Sequence, residues 1–336
     1  MKLIDDILKY KSLSVVGLAK NVGKTETLNF ILRNLQNSTK TVAITSIGID
    51  GETTDAVTLT EKPEITVYPN MLFTTAEKLF MQKRPHSEIL DISIEETIFG
   101  RLVTARTLQR GKVLLSGAAN TAMLRKIISR NATLGADLTI ADGALSRLSL
   151  ASPATTEAMI LATGAALSSN IDTLVRQTKF ICQLIDMEEF ELPIGTNTDN
   201  LTSDIYYIKD REIIPLGLPS ALAINSLTKT QLDELKESRQ ILIIGILSNK
   251  IIDFLIAHQL AKSTTIIARD FSTIFVSDIK YNLFCKLGGE FRVLKKTNLL
   301  ALTVNPTSPQ GITLNSEVLC SKLSEATGKM AFDVRK

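Results

Sequence analysis

Short apolar runs alternate along the chain with stretches whose apolar residues recur every three or four positions. The two periods predict strands and helices in turn. "LSVVG", Leu13–Gly17, reads as a strand, and "TETLNFILRNLQN" puts Leu28, Ile31, Leu32 and Leu35 on one face of a helix. "TVAITSIG" (41–48), "EITVYPN" (64–70), "KVLLSG" (112–117) and "ADLTIADG" (136–143) predict further strands. "TTAEKLFMQK" (74–83) and "NTAMLRKIISR" (120–130) predict helices, the second with Met123, Ile127 and Ile128 on one face. Strands alternating with helices imply an α/β fold, a mostly parallel sheet with helices on both faces.

The polar stretches "LPIGTNTDN" and "SLTKTQLDELKESRQ" suggest a joint, after which the pattern restarts. "ILIIGIL" (241–247), "TTIIARD", "FRVLKK" and "LLALTVNP" predict strands. "NKIIDFLIAHQLA", "SDIKYNLFCKLGG" and "SEVLCSKLSEATG" predict helices. The expected organisation is a nucleotide-binding domain over 1–200 and a second α/β lobe over 240–336, with the boundary somewhere between 195 and 240.

Composition narrows the class. Hydrophobic residues make up 44% of 336, enough for a sizeable core, and the formal net charge is only +3. Lys and Arg occur in no block beyond pairs such as Lys83-Arg84 and Lys295-Lys296, so nucleic acid is not expected as a partner. Cys182, Cys285 and Cys320 lie far apart with no metal-ligand spacing, which fits a reducing cytoplasm. With His86 and His258 the only histidines, a His-based metal site or a Ser-His-Asp triad is not expected. Asp5 and Asp6 interrupt the N-terminal apolar stretch, which argues against a signal peptide. No run reaches the roughly 18 apolar residues that span a bilayer. A cytoplasmic protein without a membrane partner is the expectation.

The chemistry sits in "GLAKNVGKT", Gly17–Thr25. Gly-Lys-Thr between a strand and a helix is the tail of a phosphate-binding loop. Its backbone N–H groups face phosphate, its lysine reaches the outer phosphates and its threonine hydroxyl binds Mg²⁺. The usual loop has four residues between its glycines; here five separate Gly17 from Gly23. Gly17, Ala19, Lys20, Asn21, Val22, Gly23, Lys24, Thr25 and Glu26 are the expected nucleotide contacts, with ATP and Mg²⁺ as ligands. Mg²⁺ needs oxygen donors, and two acidic sites follow strands: Asp50 and Glu52 in "TSIGIDGE", and Asp142 in "LTIADG". Thr25, Asp50, Glu52 and Asp142 are the candidate metal ligands; Lys24, Asp50 and Asp142 are the candidate catalytic residues. Asp142 also suits a helix cap, and "IDGE" is ordinary turn chemistry. Ligands of open α/β sheets bind beyond the carboxyl ends of the strands, where all three segments would lie.

The five-residue spacing resembles the loop of dethiobiotin synthetase, which aligns with "GLAKNVGKT" without a gap; "DGA", Asp142–Ala144, is similar to that family's acid-Gly-Ala triplet. The resemblance implies a P-loop NTPase of the SIMIBI class, which includes signal-recognition GTPases and MinD-type ATPases. MinD-type loops carry an extra lysine at the position of Ala19; Lys20 is one residue off, so a lysine acting across a dimer is not implied. "VAITSIGIDGE", "IADGALSRLSLASPATTEAMILATGAALS" and "LALTVNPTSPQG" resemble the B subunit of the lysine 5,6-aminomutase reactivases. That resemblance implies an ATPase that restores a cobalamin-dependent aminomutase together with a MutS-like ATPase subunit. In "LSRLSLASP", Arg147 is placed to meet phosphate or carboxylate, or to face solvent. "NPTSPQG", Asn305–Gly311, reads as a rigid loop that contacts a partner or the base, or as a plain turn.

Four functions fit: a partner-coupled ATPase, a small-molecule ligase or kinase like dethiobiotin synthetase, a GTP-binding module resembling the MobB type, and an interaction protein with a degenerate loop. The second α/β pattern favours the first. No Asn-Lys-x-Asp motif signals guanine, and the intact Gly-Lys-Thr argues against the last.

Overall fold

The computed structural model describes residues 2–47, 64–144, 152, 155–196, 198, 201–218 and 220–335. Two compact units emerge: residues 1–179 with 298–336, and residues 180–297.

The first unit opens with α1 (Lys2–Ile7), β1 (Ser12–Gly17), α2 (Lys24–Leu35) and β2 (Val42–Ser46). There follow β3 (Ile65–Val67), β4 (Leu72–Ala76), α3 (Glu77–Lys83) and a long hairpin, β5 (Ser87–Thr97) and β6 (Gly100–Thr107). Then come β7 (Gly111–Val113), α4 (Thr121–Thr133), β8 (Leu138–Ala144), β9 (Ala158–Gly164) and α5 (Ile171–Ile185).

In the second unit, β10 (Ile205–Lys209), β11 (Glu212–Pro215), α6 (Lys229–Ser238), β12 (Gln240–Ile243) and β13 (Leu247–Ser248) precede α7 (Asn249–Ala257). They are followed by β14 (Thr265–Ala268), β15 (Ile274–Phe275), α8 (Asp278–Lys286) and β16 (Glu290–Val293). Its main sheet has the order β11-β10-β12-β14-β16, parallel across β12, β14 and β16 and antiparallel at β10 and β11.

The chain then returns to the first unit as β17 (Asn298–Asn305), α9 (Ser316–Thr327) and β18 (Ala331–Asp333). This corrects the expected division. β17 pairs in parallel with β9, Leu302 opposite Leu161, so residues 240–336 are not one lobe: the separate unit is 180–297. Local periodicity locates strands but not their partners, and β17 finds its partner on the far side of the second unit in sequence.

The first unit's sheet has the order β18-β17-β9-β1-β8-β2-β4-β6-β5. Its strands run parallel from β18 to β4 and antiparallel at β6 and β5. Every residue of β1 and of β9 is buried, as a strand covered on both faces requires. Neighbouring residues show what covers each face, since side chains alternate along a strand. Leu13, Val15, Ile44, Phe73, Ile140 and Ile160 form one core with Leu28, Ile31, Leu32 and Leu35 of α2. On the opposite face, Thr74 Oγ1 donates to Asn131 Oδ1 of α4 at 3.1 Å, and the Thr163 hydroxyl meets that of Thr178 of α5 at 3.1 Å. Helices therefore lie on both faces. Burial of each α2 leucine or isoleucine is worth about 1.5–3 kcal/mol, which fixes the helix that follows the glycine-rich loop.

Three local expectations change. "TTAEKLFMQK" begins as strand, because Leu72–Ala76 is wholly buried and pairs with β6; the helix starts at Glu77. "KVLLSG" is a strand only to Val113; beyond it Thr75 Oγ1 donates to the Leu114 carbonyl and the Ala76 N–H to the Ser116 carbonyl. "ILIIGIL" breaks after Ile243, where the N–H groups of Ile244 and Gly245 turn to the carbonyl of Asp204. A Cβ on Gly245 would lie 2.8 Å from the Asp204 carboxyl carbon.

Candidate functional site

β1 is the switch point of its sheet. From β1 the chain runs to β2 and β4 on one side and returns to β8 beside it, then crosses to β9, β17 and β18 on the other. The crevice beyond such a point is where open α/β sheets hold ligands, and Gly17–Thr25 occupies the carboxyl end of β1.

The loop is held at both shoulders. The Leu18 N–H donates to the Ala162 carbonyl of β9 at 2.9 Å. Val22, buried, turns inward over Gly17, where a Cβ would lie 2.6 Å from Val22 Cγ2 and 2.8 Å from Lys24 Cγ; only glycine leaves room for this closure. Asn21 and Gly23 are left-handed, with φ of 63° and 94°. Asparagine and glycine are the residues that tolerate that region.

Gly23 is the N-cap of α2 and supplies no side-chain bond to it. α3 and α7 also lack a side-chain cap, whereas α4, α6, α8 and α9 are capped by the side chains of Asn120, Thr228, Ser277 and Asn315. The first N–H groups of a helix have no intrahelical acceptor, and α2 begins with Lys24 and Thr25, both half-buried. Ala19 is half-buried, and Lys20, Asn21 and Glu26 are exposed. Glu26 lies 4.0 Å from Arg335.

Asp142 is half-buried and sits opposite Val15 on one side and Ser46 on the other. It shares the parity of Leu138 and Ile140, so it stands on the face that carries α2, with Ser46 beside it by the same rule. Its carbonyl accepts the Ile47 N–H at 2.9 Å. The Oγ of Ser46 is buried without a hydrogen-bond partner among the described residues.

Sequence reasoning missed the contribution of β17. Its last residue, Asn305, donates from Nδ2 to the Asn21 carbonyl at 3.2 Å and accepts the Thr307 N–H at 3.2 Å. Its backbone carbonyl would lie 2.1 Å from a Cβ on Gly164 of β9, so that glycine lets it approach. Two residues earlier on the same face, the buried hydroxyl of Thr303 lies 2.8 Å from that of Thr27, which donates to the Gly23 carbonyl. "NPTSPQG" was legible as a rigid loop at a strand end, but not which loop it would meet.

The structure thus brings Gly17, Ala19, Lys20, Asn21, Val22, Gly23, Lys24, Thr25 and Glu26 together on one loop and first turn, with Asp142 on the adjacent strand. Asp50, Glu52 and Arg147 lie outside the described residues. Among the described residues, no group of three His, Cys, Asp or Glu gathers to hold a metal, and no helix is long and apolar enough to cross a membrane. His258 packs on Phe254 with centroids 4.3 Å apart and the rings tilted by 41°. Compared with known proteins, the chain matches no family model, no curated protein and no solved structure.

Proposed function

We propose that this chain is a P-loop ATPase that binds Mg-ATP at Gly17–Thr25 and couples hydrolysis to a protein partner. The observation that carries the reading is the loop: glycine-pinched, left-handed at Asn21 and Gly23, and ending on a helix whose N-terminus has no side-chain cap. An uncapped N-terminus with the helix dipole behind it suits an anion. The residues present fit the nucleotide. Loop N–H groups would hold the phosphates and Lys24 would pair with their outer oxygens. The Thr25 hydroxyl and the Asp142 carboxylate would hold the metal and its waters, with Ser46 Oγ as a further oxygen beside Asp142. Asp50 and Glu52 are proposed as additional acids. Mg²⁺, when bound, neutralises charge on the phosphate oxygens.

The partner rests on two supports. Residues 180–297 form a compact unit that interrupts the first, beyond what a minimal nucleotide fold needs. The stretches around Asp50, Asp142 and Asn305 resemble the aminomutase reactivases. The partner we propose is a cobalamin-dependent lysine 5,6-aminomutase, reached with a MutS-like ATPase subunit. A coupled ATPase must bind its partner differently in its ATP and ADP states, since equal affinity shifts nothing.

The test is to inactivate the mutase, add this chain with its companion subunit, and compare ATP with a non-hydrolysable analogue. Recovery with ATP alone is expected; equal recovery with the analogue refutes coupling. ATP-dependent phosphorylation or carboxylation of a small molecule by the chain by itself would replace this reading with the ligase one.

A further inference from the structure

The chain returns from residues 180–297 through β17, and β17 ends on the loop. We propose that Asn305 is a positioning residue for Gly17–Thr25: it pins the Asn21 carbonyl and thereby aims the Val22 N–H. The inference rests on the phosphate-binding reading of that loop.

A trans peptide is planar with its C=O and N–H opposed. Holding the Asn21 oxygen toward β17 therefore turns the Val22 N–H to the opposite side. Asn21 and Gly23 flank Val22 in left-handed conformations, so the chain turns on either side of the Val22 N–H, the kind of turning backbone on which N–H groups can face an anion. Such backbone has no ladder to keep it in place, so its orientation depends on whatever holds its carbonyls.

Asn305 has the chemistry this needs. Its Oδ1 accepts the Thr307 N–H, so Nδ2 is the atom left to face Asn21. An aspartate of the same shape would present a second acceptor to a carbonyl. The approach is built in from three sides. Gly164 leaves space for the Asn305 backbone, and the Ala165 N–H donates to its carbonyl at 2.9 Å. Its Cβ stands where a side chain on Gly23 would collide, at 2.9 Å. Thr303, one pleat earlier, ties the first turn of α2 through Thr27.

Asn305→Ala keeps the Cβ that packs on Gly23 and removes only the amide; Asn305→Asp keeps the shape and removes the donor. Both variants and the natural chain are compared in two measurements. The first is hydrogen exchange of residues 18–24 in nucleotide-free protein, and the second is affinity for ATP, ADP and GTP with Mg²⁺. Loss of one hydrogen bond is expected to speed loop exchange and weaken ATP and ADP about 2- to 12-fold. The ATP-over-GTP preference and exchange in the rest of the first unit should stay unchanged. Unaltered loop exchange in both variants overturns the proposal, as does faster exchange throughout the unit, which would mark a general structural role. A changed base preference with phosphate affinity intact would make Asn305 a base contact instead. If the natural chain binds no nucleotide, the phosphate-binding reading fails, and the exchange result still decides whether Asn305 holds the loop.

Discussion

Gly23→Ala tests the loop geometry at its tightest point. The residue sits at φ 94°, and a Cβ there would lie 2.9 Å from Asn305 Cβ. Two costs add. Left-handed backbone costs an L-residue about 1–2 kcal/mol. Carbon atoms prefer a separation of roughly 3.5–4.0 Å, and forcing an extra methyl into a packed contact costs about 1–3 kcal/mol. The sum is about 2–5 kcal/mol. Asn305→Gly removes the colliding atom but not the φ penalty, so a double-mutant cycle separates the two: the coupling should recover about 1–3 kcal/mol and leave the rest. Because residues 180–297 are a separate unit, stability is followed by native-state hydrogen exchange of the buried α2 amides. A cost for Gly23→Ala below about 0.5 kcal/mol, the usual scatter of a neutral substitution, would refute the reasoning. So would a cost that Asn305→Gly leaves untouched.

Asp142→Asn should retain ATP binding while hydrolysis falls about 100-fold or more, since a fixed charge aimed at the reaction is lost; normal turnover would remove Asp142 from the metal site. Thr27→Val leaves the buried Thr303 hydroxyl without its partner and should cost about 1–3 kcal/mol, read by the same α2 exchange; adding Thr303→Val should recover part of it. Glu64, held by Lys112 and then Lys83, has its carboxyl lowered from 4.5 to about 2. Its contribution is fully present above pH 4.5 and lost as pH falls toward about 2. Acid titration of stability in low salt should therefore be shallower over that window in Glu64→Gln, and identical profiles would show that these ion pairs do not matter.

The helical stripe of α2 was legible because Leu28, Ile31, Leu32 and Leu35 repeat with the period of a helix, and all four are buried. Asp142 was legible as the end of an apolar strand, β8. Gly288, which follows the last turn of α8 in "SDIKYNLFCKLGG", is left-handed at φ 93°, as a glycine closing that helix implies. The order of strands was not legible: nothing local in "LLALTVNP" says that it pairs with "AMILATG" and not with its neighbours in the chain. The roles of Asn305 and Thr303 were hidden for the same reason, since both depend on β17 lying two strands from β1. The β5–β6 hairpin was not legible because β5 is half-exposed, and its register shifts between Ile92 and Glu96. A pleat interrupted in this way blurs the alternation by which a strand is recognised.

Mg-ATP binding at Gly17–Thr25 is tested most directly by calorimetric titration of the natural chain and of Lys24→Ala. The expected result is saturable binding to the natural chain. In a variant with an unchanged circular dichroism spectrum, loss of a charge-assisted contact worth about 1.5–3 kcal/mol should weaken that binding about 10- to 150-fold. No binding by the natural chain, or equal affinity in folded Lys24→Ala, would contradict it.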